Sequence, residues 1–309
     1  SVTGGRWILP LDDAYIHQQY ARQAARGHFM RYNDQDPPSS GATSFAYPLI
    51  LALFWQPEAD GDALSTVAFL LGTLTLVASA LLAGRIARGL AGEQSPWWVW
   101  PLGSALYLSN GALLFGHFSG METGLVLAAL LAYVVALLGQ RPVLVALSGV
   151  CLAMIRPEAL ALVALGGAWH LLHTRDWRRP VTWTVAVAPV VFGFIQPMLN
   201  LVLTGSSTAN GMRVKGWLAG SSITWEAVTS VLGTLVRLVF TTVAGIRLDE
   251  AGDALTMGSG RPALYLPLAL GAATVVWLLS RARCEWTSVR LGVHRPGSAA
   301  LILGLMVAT

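Results

Sequence analysis

Charged side chains are scarce in this chain of 309 residues. Only 12% of the residues are charged, whereas 54% are hydrophobic and the mean hydropathy is +0.58. An ordinary soluble domain has about 25% charged residues. The scarcity excludes such a domain and predicts an integral membrane protein.

Lysine and cysteine are also rare. Lys215 is the only lysine, and the other 19 basic residues are arginines that lie in short clusters between apolar runs. No nucleic-acid-binding motif accompanies them, so we expect no nucleic-acid partner and interpret the net charge of +4 as a marker of membrane orientation. Cys151 and Cys284 lack the spacing of metal ligands and carry little information.

Long apolar runs are abundant, and several reach the roughly 20 residues that cross a bilayer. The run 143–173 is too long for one span and contains Arg156-Pro157-Glu158, where proline and two charges interrupt it. We therefore interpret it as two short spans, 143–155 and 159–173. The other predicted spans are 62–84, 97–115, 122–139, 180–203 and 263–280.

Arginine clusters between these runs should face the cytoplasm. That orientation makes 1–61 an external loop, 62–203 a transmembrane bundle, 204–262 a second external loop, and 263–309 further transmembrane helices. The sides of the membrane alternate consistently along the chain only if two apolar segments lie in the outer interface and do not cross the membrane. These segments are 44–55 and 225–246.

An adjacent acid pair, Asp12-Asp13, precedes the first predicted interfacial helix, 12–27, which Gly27 should end. Two neighbouring carboxylates repel each other, so a cation, a metal or a proton is expected near them. Such a pair suits a reaction at a phosphorylated or hydroxylated substrate. The simpler interpretation is an N-cap, in which an aspartate accepts hydrogen bonds from free backbone N–H groups and suits the helix dipole.

Four stretches of the sequence carry a resemblance to a known family. They are Leu9 to His17 with the following Gly41-Ala42-Thr43-Ser44, then Gly120 to Leu125, Ile155 to Glu158, and Asn210 to Lys215. In this order they resemble segments of the GT-C fold glycosyltransferases, in particular bacterial arabinofuranosyltransferase-like and mannosyltransferase-like polytopic enzymes that use polyprenyl-phosphate sugars. The resemblance covers about residues 7–215, although the loop before Asn210 lacks the proline usual in relatives.

The resemblance implies an all-α, multi-span helical bundle of GT-C type with interfacial helices in the first external loop. It also implies a first span before Ser1 and further spans after Thr309, so we expect the chain to be a fragment. The implied activity is transfer of a sugar from a polyprenyl-phosphate donor to an envelope glycan or lipid acceptor. Direct displacement needs one base and inverts the anomeric carbon, so we expect inversion.

The resemblance further implies roles for the polar external residues. Asp12 or Asp13, with Asp13 favoured, would take the proton of the acceptor hydroxyl, and the pair could hold a divalent cation such as Mg²⁺ or Mn²⁺. Cations, arginine above all, suit the leaving phosphate. The candidates at the donor phosphate are Arg156, Lys215, Arg213 and His17, and the supporting residues are Glu122, Glu158 and Asn210.

Several of these residues have simpler interpretations. Glu122 could be only a favourable charge at a helix start, Arg156 and Glu158 could pair with each other to stabilise the broken turn, and His17 could sit in the headgroup layer. Whole-protein alternatives are a non-catalytic subunit of a membrane assembly and a transporter of a lipid-linked solute. The arginine-rich composition favours a bacterial plasma membrane, with the site facing the periplasm or exterior.

Overall fold

The structure is a computed structural model that describes residues 8–57, 62–92, 94–174 and 178–207. These residues belong to the first of two compact units, Ser1–Lys215. The predictions for 225–246 and 263–280, and most of that for 204–262, lie outside the described residues.

Throughout this described part the chain forms helices and no strand, which confirms the all-α prediction. A 3₁₀ turn, Pro157–Ala159, separates the seventh and eighth helices. The helices are α1 Asp12–Ala25, α2 Ala46–Ala52, α3 Asp62–Ala91, α4 Val99–Leu108, α5 Gly111–Phe118, α6 Thr123–Leu138, α7 Pro142–Ile155, α8 Leu160–Thr174, α9 Pro180–Gly193 and α10 Ile195–Thr204.

Two described stretches are long and apolar enough to cross a membrane. They are Ala63–Ala91 in α3 and Pro180–Thr204, which joins α9 and α10. Helices α5 and α6 add a third if this pair, bent by 117°, forms one span. Length and composition therefore indicate a helical membrane protein, while the full set of predicted spans and the GT-C arrangement stay predictions.

Most helix boundaries follow local sequence signals. The helix predicted over 12–27 is observed as α1, and Gly27 follows it with a left-handed φ of +85°. The predicted interruption of 143–173 is observed as well. Arg156 is extended at the end of α7, as expected for a residue before proline, and Pro157 starts the 3₁₀ turn.

The single span predicted over 97–115 is wrong. The run divides into α4 and α5 because Asn110 caps a new helix, its side-chain oxygen accepting hydrogen bonds from the backbone N–H groups of Ala112 and Leu113. Helix α5 then ends before Gly120, whose φ of +78° turns the chain into α6. This turn brings Glu122 to the start of α6.

Helices α1 and α2 pack on the first part of α3. Ala21, Tyr47, Leu51 and Leu64 form a buried apolar cluster there, and the Gln18 amide donates a hydrogen bond to the Ser65 hydroxyl. The two short helices are thus fixed at one end of the long helix α3. The predicted site residues that the structure describes lie at that end.

Candidate functional site

Asp12 and Asp13 form the first turn of α1, and both side chains are exposed. The N-cap position belongs to Leu11, which makes no side-chain capping hydrogen bond, so the interpretation of the acid pair as the cap is wrong. Two carboxylates in a first turn do suit the positive end of the helix dipole. The pair is therefore held at the protein surface at the start of an anchored helix.

A cluster centred on Glu122 lies below this surface and joins four segments of the chain. We call His17, Thr43, Glu122 and Arg156 the Glu122 cluster. His17 Nε2 lies 3.1 Å from Glu122 Oε2, Arg156 Nε lies 2.9 Å from Glu122 Oε1, and the Thr43 hydroxyl donates to Oε1 at 2.9 Å. Three side chains from distant segments thus meet one carboxylate.

The cluster combines burial with charge. The side chains of Glu122 and His17 are 0% and 2% exposed, whereas that of Arg156 is 31% exposed. Burial alone would raise the pKa of Glu122, which lies in the turn between α5 and α6. The hydrogen bond and charge of His17 and the charge of Arg156 outweigh burial and lower this pKa to about 2. Glu122 is therefore a permanent anion and is unsuited to act as a base at neutral pH.

Tyr47 of α2 supports the cluster from a neighbouring helix. Its ring meets the His17 ring edge to face, with the centroids 5.4 Å apart. Its hydroxyl donates a hydrogen bond to the Gly120 carbonyl at 3.0 Å. Burial and the nearby charge of Glu122 both raise the pKa of Tyr47. The neutral phenol therefore acts as a hydrogen-bond donor that links α2 to the turn before Glu122.

The turn at Gly120 is crowded as well as left-handed. A Cβ atom added there would lie 2.6 Å from Leu9 Cδ1 and 3.0 Å from Ala14 Cβ. Glycine is needed because the backbone of this turn approaches the segment that starts α1 so closely. The contact places Glu122 directly beside α1.

Helix α10 fixes the loop that carries Thr43. The Gln196 amide nitrogen donates to the Thr43 carbonyl at 2.9 Å, and its oxygen accepts from the Phe45 backbone N–H at 3.4 Å. Gln196 is buried, so water competes little for these two hydrogen bonds. Gln196 thus supports the four residues of the Glu122 cluster from α10, the last described helix.

The sequence predicted most members of the cluster, but it did not predict their contacts. Thr43 was named only within the stretch Gly41-Ala42-Thr43-Ser44, and Gln196 was missed. A buried amide in the apolar run of α10 was the available signal for Gln196. The predicted pairing of Arg156 with Glu158 is confirmed at 3.9 Å, and Arg156 contacts Glu122 as well.

The remaining predicted site residues, Asn210, Arg213 and Lys215, lie outside the described residues. Among the residues that the structure does describe, no group of three His, Cys, Asp or Glu side chains could hold a metal ion. The divalent cation expected at Asp12 and Asp13 stays a prediction.

No protein-family model, characterised protein or solved structure matches this chain.

Proposed function

We propose that this chain is a membrane glycosyltransferase of the GT-C type. It transfers a sugar, with inversion, from a polyprenyl-phosphate donor to an envelope glycan or lipid acceptor at the outer face of a bacterial plasma membrane. Asp13, or its neighbour Asp12, is the general base in this proposal.

One observation carries the proposal. Three of the four stretches that resemble the family by sequence meet in the Glu122 cluster: the first contributes His17 and Thr43, the second contributes Glu122, and the third contributes Arg156. The resemblance is linear, and nothing in it requires these stretches to touch. Their convergence on a single buried carboxylate is what a shared functional site would produce.

The cluster supports the reaction by positioning the groups that react. Residues four apart share a helix face, so the ion pair of His17 with Glu122 fixes the turn of α1 that carries Asp13. The side chains of Asp12 and Asp13 are exposed at the start of that helix. In this role Glu122 and His17 are positioning residues, and the phosphate-binding role assigned to His17 stays a prediction.

Arg156 is suited to the leaving phosphate. Its Nε donates to Glu122, and its partly exposed guanidinium carries further N–H groups. These groups can donate to phosphate oxygens as the bond from phosphate to sugar breaks, which stabilises the negative charge that develops there. The acceptor proton passes to the aspartate, and no second carboxylate is required as a nucleophile.

The test is sugar transfer by the full-length purified protein from a panel of radiolabelled polyprenyl-phosphate monosaccharides. Asp12→Asn and Asp13→Asn are compared with Asp36→Asn, an acid of the same predicted external loop whose carboxylate accepts a hydrogen bond from Asn33. Loss of a general base lowers the rate by roughly 10²–10⁴-fold. We expect such a loss in one variant of the acid pair and unchanged transfer in Asp36→Asn.

Two results would contradict the proposal. Transfer that survives both Asp12→Asn and Asp13→Asn would remove the acid pair from the mechanism. Absence of transfer from every donor by the folded wild type would favour a non-catalytic subunit or a transporter of a lipid-linked solute.

A further inference from the structure

A cleft lies between α3, α6 and α7. Its volume is about 820 Å³, which is within the roughly 300–1,000 Å³ typical of ligand sites. The cleft beside Tyr20 and Gln196 has only about 20 Å³, enough for about one water molecule. Of these two described clefts, only the larger can admit a sizeable ligand without rearrangement.

Three arginines line the larger cleft. Arg85 and Arg88 come from the last turns of α3, and Arg141 immediately precedes α7. All three are exposed, no Asp or Glu lines the cleft, and within the described residues none of the three forms an ion pair. The cleft therefore carries concentrated positive charge, and we call it the basic groove.

Apolar side chains form the rest of the basic groove. Leu82, Val135, Leu144 and Leu147 line its walls, and Leu147 is 58% exposed. Cys151 lines it as well and lies, at about 1.5 Å per residue, roughly 15 Å along α7 from Arg141. The apolar walls extend away from the arginines over this length, which suits the hydrocarbon chain of a lipid.

The basic groove is separate from the Glu122 cluster. Helix α6 starts beside Glu122 and ends at Leu138 in the groove, whereas α7 starts beside Arg141 in the groove and ends beside Arg156. A helix of this length extends about 20–24 Å. The two sites thus lie at opposite ends of the same pair of helices.

We propose that the basic groove binds an anionic phospholipid. The phosphate lies at Arg85, Arg88 and Arg141, and the acyl chains extend along the apolar walls. A free anion would make no contact with those walls, and a lipid without net charge would leave the arginines without a counter-ion. A phosphate on an acyl-chain lipid satisfies both parts of the groove.

The test measures lipid retention by native mass spectrometry of the full-length protein. The probes are dioleoyl phosphatidylglycerol, dioleoyl phosphatidylcholine and inorganic phosphate. Each basic residue near a membrane contributes about a fivefold change in affinity for an anionic lipid, so Arg85→Gln, Arg88→Gln and Arg141→Gln combined should weaken phosphatidylglycerol binding about a hundredfold. Arg178→Gln, at an exposed arginine outside the groove, should bind as the wild type does.

Alkylation of Cys151 provides a second measurement, in a Cys284→Ser background. Cys151 is exposed, and bound phosphatidylglycerol should slow its reaction with maleimide. Equal retention of phosphatidylcholine, displacement of the lipid by inorganic phosphate, or unchanged binding by the triple variant would overturn the proposal. So would a Cys151 that does not react in lipid-free protein, because another part of the chain would then fill the groove.

Discussion

Glu122 is the residue on which the candidate site depends. Its carboxylate is fully buried and meets the His17 ring, the Arg156 guanidinium and the Thr43 hydroxyl. Removing one partner from a buried ion pair leaves the other without compensation in a low-dielectric environment. Single substitutions here should therefore affect stability far more than substitutions of nearby exposed charges.

Replacing Glu122 by Gln should lower the free energy of unfolding by about 3 kcal/mol or more. The matched control is Glu158→Gln, since Glu158 is 41% exposed and lies 3.9 Å from Arg156. Loss of such an exposed pair should change the free energy by less than about 1 kcal/mol. Denaturant titration of the full-length protein in detergent micelles measures both, and equal effects would show that burial does not matter here.

Acid pH supplies a further check on Glu122. Its folded-state pKa of about 2 lies below the reference value of 4.5, so ionisation favours the folded protein. This contribution to stability is fully present at a pH above the reference pKa, and it is lost as the pH falls towards the folded-state pKa. The difference between wild type and Glu122→Gln should accordingly shrink between pH 4.5 and about 2. A difference that does not vary with pH would contradict the ionic interpretation.

The sequence identified His17, Glu122 and Arg156 as separate candidates because each stands out in its local context. It did not reveal that they meet, since their separation along the chain is too large for any local periodicity to record. The exposure of Asp12 and Asp13 could be anticipated from their place at a helix start. The contribution of Thr43 could not, because a threonine in a polar loop has no distinctive pattern.

At the scale of elements, the turn between α5 and α6 has the strictest requirements. Gly120 adopts a left-handed conformation, contacts Leu9 and Ala14 closely, and receives the hydrogen bond of Tyr47 through its carbonyl oxygen. The same backbone segment thus meets α1 and α2 at once. A side chain at Gly120 would separate these elements.

Replacing Gly120 by Ala should lower the free energy of unfolding by roughly 2–4 kcal/mol, from left-handed strain and overpacking together. Gly205→Ala is the matched control. Gly205 has a similar φ of +74°, but an added Cβ would meet nothing within 4 Å. Gly205→Ala should therefore show only the strain of roughly 1–2 kcal/mol. Thermal unfolding of the two variants side by side separates the left-handed strain from the overpacking. Identical losses of stability would mean that crowding at Gly120 is unimportant.

Helix ends were predictable where a residue has a strong local effect. Gly27 and the Arg156-Pro157 pair are examples, since one permits a left-handed turn and the other removes a backbone donor. The division of 97–115 at Asn110 was missed because hydropathy dominates such a run. A polar residue that caps a helix inside an apolar stretch is the feature that hydropathy alone does not detect.

At the scale of the whole molecule, the described helices have two distinct ends. The Glu122 cluster lies at one end of α6 and α7, and the basic groove lies at the other. Composition predicted a membrane protein and the arginine clusters predicted an orientation, but the grouping of residues into these two sites depends on tertiary packing.

If α3 crosses the membrane, the segments that flank it should be accessible from opposite sides. Gln35→Cys and Gln94→Cys place a thiol at exposed positions before and after α3, and α2 between them is too short to cross. In a Cys151→Ser, Cys284→Ser background, a membrane-impermeant maleimide applied to intact cells should label Gln35→Cys only. A permeant maleimide should label both, and labelling of both variants by the impermeant reagent would contradict the crossing.

The contacts of Glu122 also set an order of events during synthesis. Thr43 precedes Glu122 by 79 residues, an interval of roughly 4–16 s at ribosomal speeds of about 5–20 residues per second. His17 is made earlier still, and Arg156 only after α6 and α7. Helix α1 thus leaves the ribosome before the other described helices, but its contact with Glu122 forms only after α5 has been made. A nascent chain interrupted before Arg156 therefore has a Glu122 carboxylate without its full set of partners.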